Sequence, residues 1–105
     1  MTMNNPEDVK LQTLATSTLA RSNSAQAAAL RDTTGRTYVA INVASPGLNL
    51  DAFEAVLTVA LASGITGIES VVAVGTQPEN SAAIKGFAPT ATIFYIDANG
   101  KEFTL

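Results

Sequence analysis

The segment GLNLDAFEAVLTVALASG, residues 47–64, constrains the fold of this chain more than any other part of the sequence. Its apolar side chains would occur on nearly every side of a helix, so a helix over residues 49–63 should be buried over most of its surface. Asn49 can cap the start of this helix, and Gly64 suits the position after its end. Because a domain of 105 residues rarely encloses a helix completely, part of this surface is predicted to contact another subunit.

The rest of the chain alternates short β-runs with helices. Residues 25–31 are compatible with helix or strand by composition, and the DTTGR turn that follows favours a strand. The sequence DANG at 97–100 is typical of a hairpin turn, so the last two strands are predicted to be antiparallel. The predicted elements are, in order, a helix over 5–21, strands over 25–31 and 37–44, the helix over 49–63, a strand over 69–76, a helix over 76–86, and strands over 90–96 and 101–105.

This order, α-β-β-α-β-α-β-β, predicts an α/β protein with three layers, α/β/α, built around a mixed five-stranded sheet. The whole chain, residues 1–105, is predicted to be a single domain that begins with the helical segment 1–21. Thr76 and Glu79 stand three residues apart, which is the spacing of a capping box. They are therefore predicted to start the helix over 76–86.

The composition excludes several kinds of site. The chain has no cysteine and no histidine, so it lacks disulfides, thiolates, the two commonest zinc ligands and the usual near-neutral proton shuttle. Its serine and threonine hydroxyls have no convincing base beside them to make them nucleophiles. The net charge of −3 and the scattered positions of its six Lys and Arg argue against a nucleic-acid partner. With neither a secretion signal nor an apolar run long enough to cross a bilayer, the sequence predicts a soluble cytoplasmic protein without a membrane partner.

Four segments, in the same order along the chain, resemble the small homotetrameric cytidine deaminases that act on free nucleosides. SNSAQAAAL at 22–30 is similar to their YSNFPVGAAL, and GRTYVAINV at 35–43 is similar to GRIYTGVNV. Residues 47–74 are similar, without a gap, to GLTICAERTAIFKAVSEGHRDFKAIAVV, and GFAP at 86–89 is similar to EFAP. The resemblance region, 22–105, implies the cytidine deaminase-like fold.

The resemblance also implies a chemistry whose groups this chain lacks. In those enzymes a zinc ion held by three side chains polarises a water, and a glutamate carries its protons to the pyrimidine ring. The first zinc ligand and the glutamate belong to a Cys-Ala-Glu motif that reads Asp51-Ala52-Phe53 here, and the Arg that commonly follows is Glu54. The second motif, Pro-Cys-x-x-Cys, falls within 76–85, where no register supplies a cysteine. We therefore predict no catalytic residue, no metal ligand and no cofactor.

One residue of the substrate site is retained in the resemblance. Asn42 matches the asparagine of the NVE motif that binds the ribose, whereas the glutamate of that motif is Ala44. Asn42 is thus the candidate ligand-binding residue, although an asparagine within a strand is more often satisfied by neighbouring backbone. Asp51, Phe53 and Glu54 occupy the remnant of the active site.

Asp51 and Glu79 have two interpretations. In the resembled enzymes the N-termini of two helices point at the zinc, and their dipoles favour the anionic thiolates. Asp51 on one helix and Glu79 on the other would restore a negative group as helix caps, while Phe53 would fill the vacated space. The alternative is a site for a hard cation such as magnesium, which needs more oxygen ligands than these two residues supply.

The preferred function is assembly by a catalytically inactive, zinc-free protein of this fold. It would form a homo-oligomer, a dimer or a tetramer, through the helix 49–63, or join an active relative as a non-catalytic subunit. A nucleoside-binding module that uses Asn42 and the remnant pocket is the alternative, and a deaminase-type hydrolase is a third hypothesis. APTATIFYIDANGKEF at 88–103 also resembles the strand and hairpin of thioredoxin-like domains, a rival fold that would explain only the end of the chain.

Overall fold

The structure of the chain, a computed structural model, describes residues 3–105. Residues 1 and 2, which belong to the predicted helical segment 1–21, lie outside the described residues. No helix within the described part of the chain is long and apolar enough to span a bilayer. The elements are, in chain order, α1 Pro6–Ser22, β1 Gln26–Asp32, β2 Thr37–Ile41, β3 Val43–Ser45, β4 Leu48–Leu50, α2 Ala52–Ala62, β5 Ile68–Gly75, α3 Ala82–Phe87, β6 Thr92–Ile96 and β7 Glu102–Thr104.

A five-stranded sheet forms the middle layer of the fold. Its strands lie in the order β2-β1-β5-β6-β7, with β5 and β6 parallel and the other neighbours antiparallel. Helix α1 packs against β1, β2 and β5 on one side of the sheet, and α2 covers β1 and β2 on the other side, with α3 beside it. The predicted three-layer architecture, the mixed sheet and the antiparallel hairpin at the end of the chain are confirmed.

Strand β1 divides the core into two parts. Ala28 and Leu30 belong to the apolar cluster beneath α2, which includes Phe53, whereas Ala27 and Ala29 belong to the cluster beneath α1. These four β1 side chains are fully buried, because the strand has a neighbour along each edge and a helix over each face. A strand that is buried on both faces has a continuous run of apolar residues in its sequence, and a buried helix can have the same run. Composition alone therefore did not distinguish strand from helix here.

Helix α2 begins later than predicted. Asn49 lies in β4, and Asp51 is the N-cap of a helix whose first residue is Ala52, so the prediction that Asn49 caps this helix is wrong. The side chain of Asp51 takes that position because it accepts a hydrogen bond from the helix, while the backbone of Asn49 pairs with β3. Gly64 follows the helix with φ of +85°, the left-handed conformation that glycine adopts readily, as predicted.

The strand predicted over 37–44 is divided in the structure. It leaves the sheet after Ile41, and β3 then pairs with β4 as a separate antiparallel hairpin whose turn contains Gly47 at φ of +85°. The division follows Asn42, whose side-chain oxygen accepts the backbone N–H of Gln26 at 3.0 Å. Asn42 Oδ1 thus takes the place of a backbone carbonyl as the hydrogen-bond acceptor at the end of the β1–β2 ladder.

Helix α3 is shorter than the helix predicted over 76–86. It starts after Ser81, whose side chain makes no capping hydrogen bond, so Glu79 lies outside the helix. The backbone N–H of Thr76 donates to the carbonyl of Ala25 at 2.9 Å, which holds Thr76 at the end of the sheet. The predicted capping box of Thr76 and Glu79 is therefore wrong, because tertiary hydrogen bonds hold the segment that was expected to be helical.

A buried ion pair joins α1 to the sheet. Arg31 Nη1 lies 2.9 Å from Asp8 Oδ1, and the two side chains are only 8% and 11% exposed. Arg31 Nε also donates to Glu69 Oε1 on β5, at 2.7 Å. Burial lowers the pKa of Arg31, but the contacts with Glu69 and Asp8 more than offset burial, so the pKa is raised above its usual value. The guanidinium therefore stays charged and links three elements of the fold.

Removal of one partner of this buried pair should destabilise the fold strongly. We expect Asp8→Ala to lower the free energy of unfolding by about 3 kcal/mol, because it leaves a buried guanidinium without its buried carboxylate. Glu7→Ala is the matched control in the same helical turn: its ion pair with Lys10 is exposed, and its loss should cost less than about 1 kcal/mol. Urea denaturation measures both variants, and equal losses would contradict the role assigned to Asp8.

Candidate functional site

The carboxylate of Asp51 organises the start of α2. Its Oδ1 accepts the backbone N–H of Glu54 at 3.0 Å, and Glu54 Oε1 accepts the backbone N–H of Asp51 at 3.0 Å. This reciprocal arrangement is a capping box, which satisfies two amides that a helix start leaves unpaired. Asp51 is thus the N-cap of the helix that also carries Phe53.

The second oxygen of the same carboxylate joins α2 to the segment that precedes α3. Asp51 Oδ2 accepts the backbone N–H of Asn80 at 2.7 Å and the backbone N–H of Glu79 at 3.1 Å. The Asn80 side-chain amide also donates to Glu54 Oε1, at 3.4 Å. Asp51 therefore accepts three backbone amides from two segments that are far apart in the sequence.

Glu79 contributes to this junction through its backbone. It was predicted to place a second carboxylate at the start of α3, but its side chain is exposed and its N–H donates to Asp51. The role assigned to Glu79 is therefore corrected: one carboxylate, from Asp51, serves both segments. Asn80, which the sequence did not single out, supplies the shorter of the two hydrogen bonds.

Gln26 fastens the start of α2 to the sheet. Its Oε1 accepts the backbone N–H of Ala52, the first residue of the helix, at 3.0 Å. Its own N–H donates to Asn42 Oδ1, and its carbonyl accepts the N–H of Asn42 at 3.3 Å. The side-chain oxygen of Asn42, the predicted ligand-binding residue, is thus engaged with the backbone of β1. No local signal marks Gln26, because the residues that it contacts lie 16 and 26 positions away along the chain.

Phe53 lies in the interior beneath these hydrogen bonds. Its side chain is fully buried in the cluster between α2 and the sheet, which also contains Leu30, Val71 and Ile93. A buried phenylalanine of this kind contributes about 3–5 kcal/mol relative to alanine. Phe53 is therefore a side chain of the hydrophobic core.

The ends of β1 and β5 approach closely beside this region. Gly75 has φ of +92°, and a Cβ atom on it would clash with the carbonyl of Ala25, so the position requires glycine. The Tyr95 hydroxyl donates to the carbonyl of Gly75 at 2.6 Å. Burial, followed by the charge of Asp97, raises the pKa of Tyr95, so its hydroxyl stays protonated and keeps this hydrogen bond at neutral pH.

The carboxylates at the start of α2 are used within the protein. Among residues 3–105, no three or more His, Cys, Asp or Glu side chains lie together in a way that could hold a metal ion. Asp51 and Glu54 both direct oxygens at backbone amides, so a cation would have to replace those hydrogen bonds. Cavities of about 360 and 320 Å³ lie elsewhere, between α1 and the end of the sheet. The arrangement around Asp51 therefore has the chemistry of a structural junction.

Loss of the Asp51 carboxylate should release both segments that it joins. We expect Asp51→Ala to lower the free energy of unfolding by about 2–3 kcal/mol, since the helix cap and the hydrogen bonds to Glu79 and Asn80 disappear together. Glu79→Ala is the matched control, because it removes an exposed carboxylate and keeps the amide; it should change stability by less than about 0.5 kcal/mol. Guanidinium denaturation gives both values. A larger loss for Glu79→Ala than for Asp51→Ala would refute this assignment.

Comparisons with known proteins agree with the fold. Residues 4–100 match the family model described as "Cytidine deaminase-like". The crystal structure of cytidine deaminase from Mycobacterium leprae is similar, with a TM-score of 0.68 and 20% identity over 98% of this chain and 94% of that chain. Curated protein sequences give no significant match. At this level of identity the structural likeness establishes the fold alone, whereas the family match spans nearly the whole domain. This chain belongs to the cytidine deaminase-like family.

Proposed function

We propose that this chain is a catalytically inactive, zinc-independent member of its family that acts through assembly, either as a homo-oligomer or as a non-catalytic subunit of an active relative. The observation that carries the proposal is the double use of Asp51. Its carboxylate occupies the position of the first zinc ligand in the resembled enzymes and joins two segments of the chain there. The cytoplasmic location and the lack of nucleic-acid and membrane partners stay predictions from the sequence.

The donor set at this position does not suit a zinc ion. Zinc in proteins is bound chiefly by cysteine and histidine, and the chain contains neither. Both oxygens of Asp51 already accept backbone N–H groups. Phe53 provides an apolar ring where the resembled enzymes carry a glutamate that moves protons, so the residues present supply no route for that proton transfer.

A deamination assay with added zinc tests the proposed inactivity. We expect purified protein, dialysed and then supplied with equimolar zinc and cytidine, to leave the ultraviolet absorbance of cytidine unchanged. An active cytidine deaminase in the same buffer is the positive control. Measurable conversion of cytidine to uridine, or one zinc per chain in elemental analysis after dialysis, would overturn the proposal.

The alternative function, nucleoside binding, depends on Asn42. Because its Oδ1 accepts the N–H of Gln26, the side chain already has a structural use at the end of β2. This contact supports a role for Asn42 in holding β1 and β2 together rather than in binding a sugar.

Exposed apolar side chains on and near α2 support the proposed assembly. Val59 and Leu61 are 43% and 44% exposed, and Leu48, in the hairpin before the helix, is 51% exposed. Removal of apolar surface from water contributes about 25 cal/mol per Å², so covering these side chains with a second chain would be favourable. The helix that was predicted to contact another subunit thus retains apolar surface in the single chain.

Charged substitutions on α2 should prevent assembly. We expect wild-type protein to run as a dimer or tetramer in size-exclusion chromatography with light scattering at micromolar concentration. The double variant Val59→Lys, Leu61→Lys should run as a folded monomer, because ammonium groups would have to be buried at the interface. Val9→Lys is the control on α1, where the replaced valine is 45% exposed on the opposite side of the sheet. A monomeric wild-type protein would refute the homo-oligomer form of this proposal.

A further inference from the structure

Strand β2 forms one open edge of the sheet, since β1 is its only partner among the described strands. Natural edge strands are commonly protected by shortness, charge, proline or a bulge. The opposite edge, β7, has three residues, contains Glu102 and follows Lys101. The five residues of β2 carry neither charge nor proline, and their register with β1 has no bulge. This edge therefore lacks the features that normally prevent a strand from pairing with another chain.

Hydrogen bonds at the two ends of the β1–β2 ladder show which groups of β2 face β1. The N–H of Asp32 donates to the carbonyl of Arg36 at 2.9 Å, and the N–H of Asn42 donates to the carbonyl of Gln26 at 3.3 Å. Both are pairs of the hydrogen-bonded type, and such pairs recur at every second residue of an antiparallel ladder.

This alternation determines, for every residue of β2, whether its backbone N–H and C=O face β1 or the open edge. Tyr38 and Ala40 lie at the same phase as the two end pairs, so their N–H and C=O groups face β1. Thr37, Val39 and Ile41 lie at the opposite phase, so their N–H and C=O groups point away from the sheet. The open edge thus presents donors and acceptors at three positions spaced evenly about Val39.

We propose that two copies of this chain pair antiparallel along β2, around a two-fold axis at Val39. In this register Val39 lies opposite its own counterpart, and Thr37 lies opposite Ile41 of the second copy. Each outward N–H then meets an outward C=O, and about six hydrogen bonds form between the chains. The two sheets become one continuous sheet, and no charged residue of β2 opposes a like charge.

A second copy suits this edge because its hydrogen-bonding groups are complementary to themselves about Val39. Helix α2 lies over β1 and β2, so the same axis brings the α2 helices of both copies to one interface. Pairing at β2 therefore specifies how the apolar surface of α2 would be covered. This inference rests on the assembly proposed above and deepens it by naming the contact that sets its geometry.

Val39→Pro tests the pairing directly. The substitution removes one outward N–H and leaves the hydrogen bonds between β2 and β1 in place. Val39→Ala is the matched control, because it also removes the β-branched side chain of valine but keeps the N–H. We expect the Val39→Pro dimer to dissociate at about 100-fold higher protein concentration than the Val39→Ala dimer, since each dimer loses two hydrogen bonds between chains. Light scattering over a concentration series measures this, and circular dichroism reports whether both variants are folded.

The outcomes separate this inference from the proposed function. Equal dissociation of the two Val39 variants would overturn pairing at β2; if Val59→Lys, Leu61→Lys still abolished assembly, the proposed function would stand without it. A monomeric wild-type protein would overturn the pairing at β2 together with the homo-oligomer proposed above.

Amide exchange in the wild-type protein gives a check that does not depend on the folding of a variant. Above the dissociation concentration, the amides of Thr37, Val39 and Ile41 should exchange at least about 10-fold more slowly than below it. The amides of Tyr38 and Ala40, which face β1, should be protected at both concentrations. Rapid exchange of the three outward amides in the assembled protein would overturn the proposal. Protection of these amides that appears only when an extended peptide is added would also overturn it, because the strand paired with β2 would then not be a second copy of this chain.

Discussion

Three backbone amides, of Glu54, Glu79 and Asn80, converge on the carboxylate of Asp51. This interaction determines where α2, the helix that carries Phe53, starts and where the segment before α3 is held. A carboxylate suits the position because it accepts several hydrogen bonds at once and carries the negative charge that a helix N-terminus favours. In the resemblance described above, this residue corresponds to the start of the zinc motif, which is why it defines the candidate site.

Two polar contacts connect the helices to β1. Asp8 and Arg31 connect α1 to β1 in a nearly enclosed ion pair, and Gln26 connects β1 to α2 through its side-chain oxygen. Both helices are thus attached to the same strand, which lies between β2 and β5 with apolar clusters on each face. Because β2 lies between β1 and the open edge of the sheet, a strand added at that edge would extend the sheet without displacing β1.

The candidate site could be predicted only in part. The resemblance located Asp51, Phe53 and Glu54, and the preference of aspartate for helix starts and of phenylalanine for the core was enough to suggest their environments. The interpretation of Glu79 was wrong because a threonine and a glutamate three residues apart indicate a local capping box, whereas Asp51 and the sheet hold this segment from a distance. Gln26 could not have been found, since an isolated glutamine at the start of a strand has no pattern that distinguishes it from a surface residue.

By itself, the sequence determined the three-layer fold, the mixed sheet and the antiparallel hairpin at its end, because apolar periodicity and turn residues act over a few neighbouring positions. It also determined that cysteine and histidine chemistry is absent, since the chain contains neither residue. Only the tertiary structure decided that Asp51 holds two segments, that Asp8 is buried against Arg31 and that β3 and β4 form a separate hairpin. Each of these three features depends on groups far apart in the chain or on competition for a single hydrogen-bond acceptor. A local sequence pattern shows neither of these two causes.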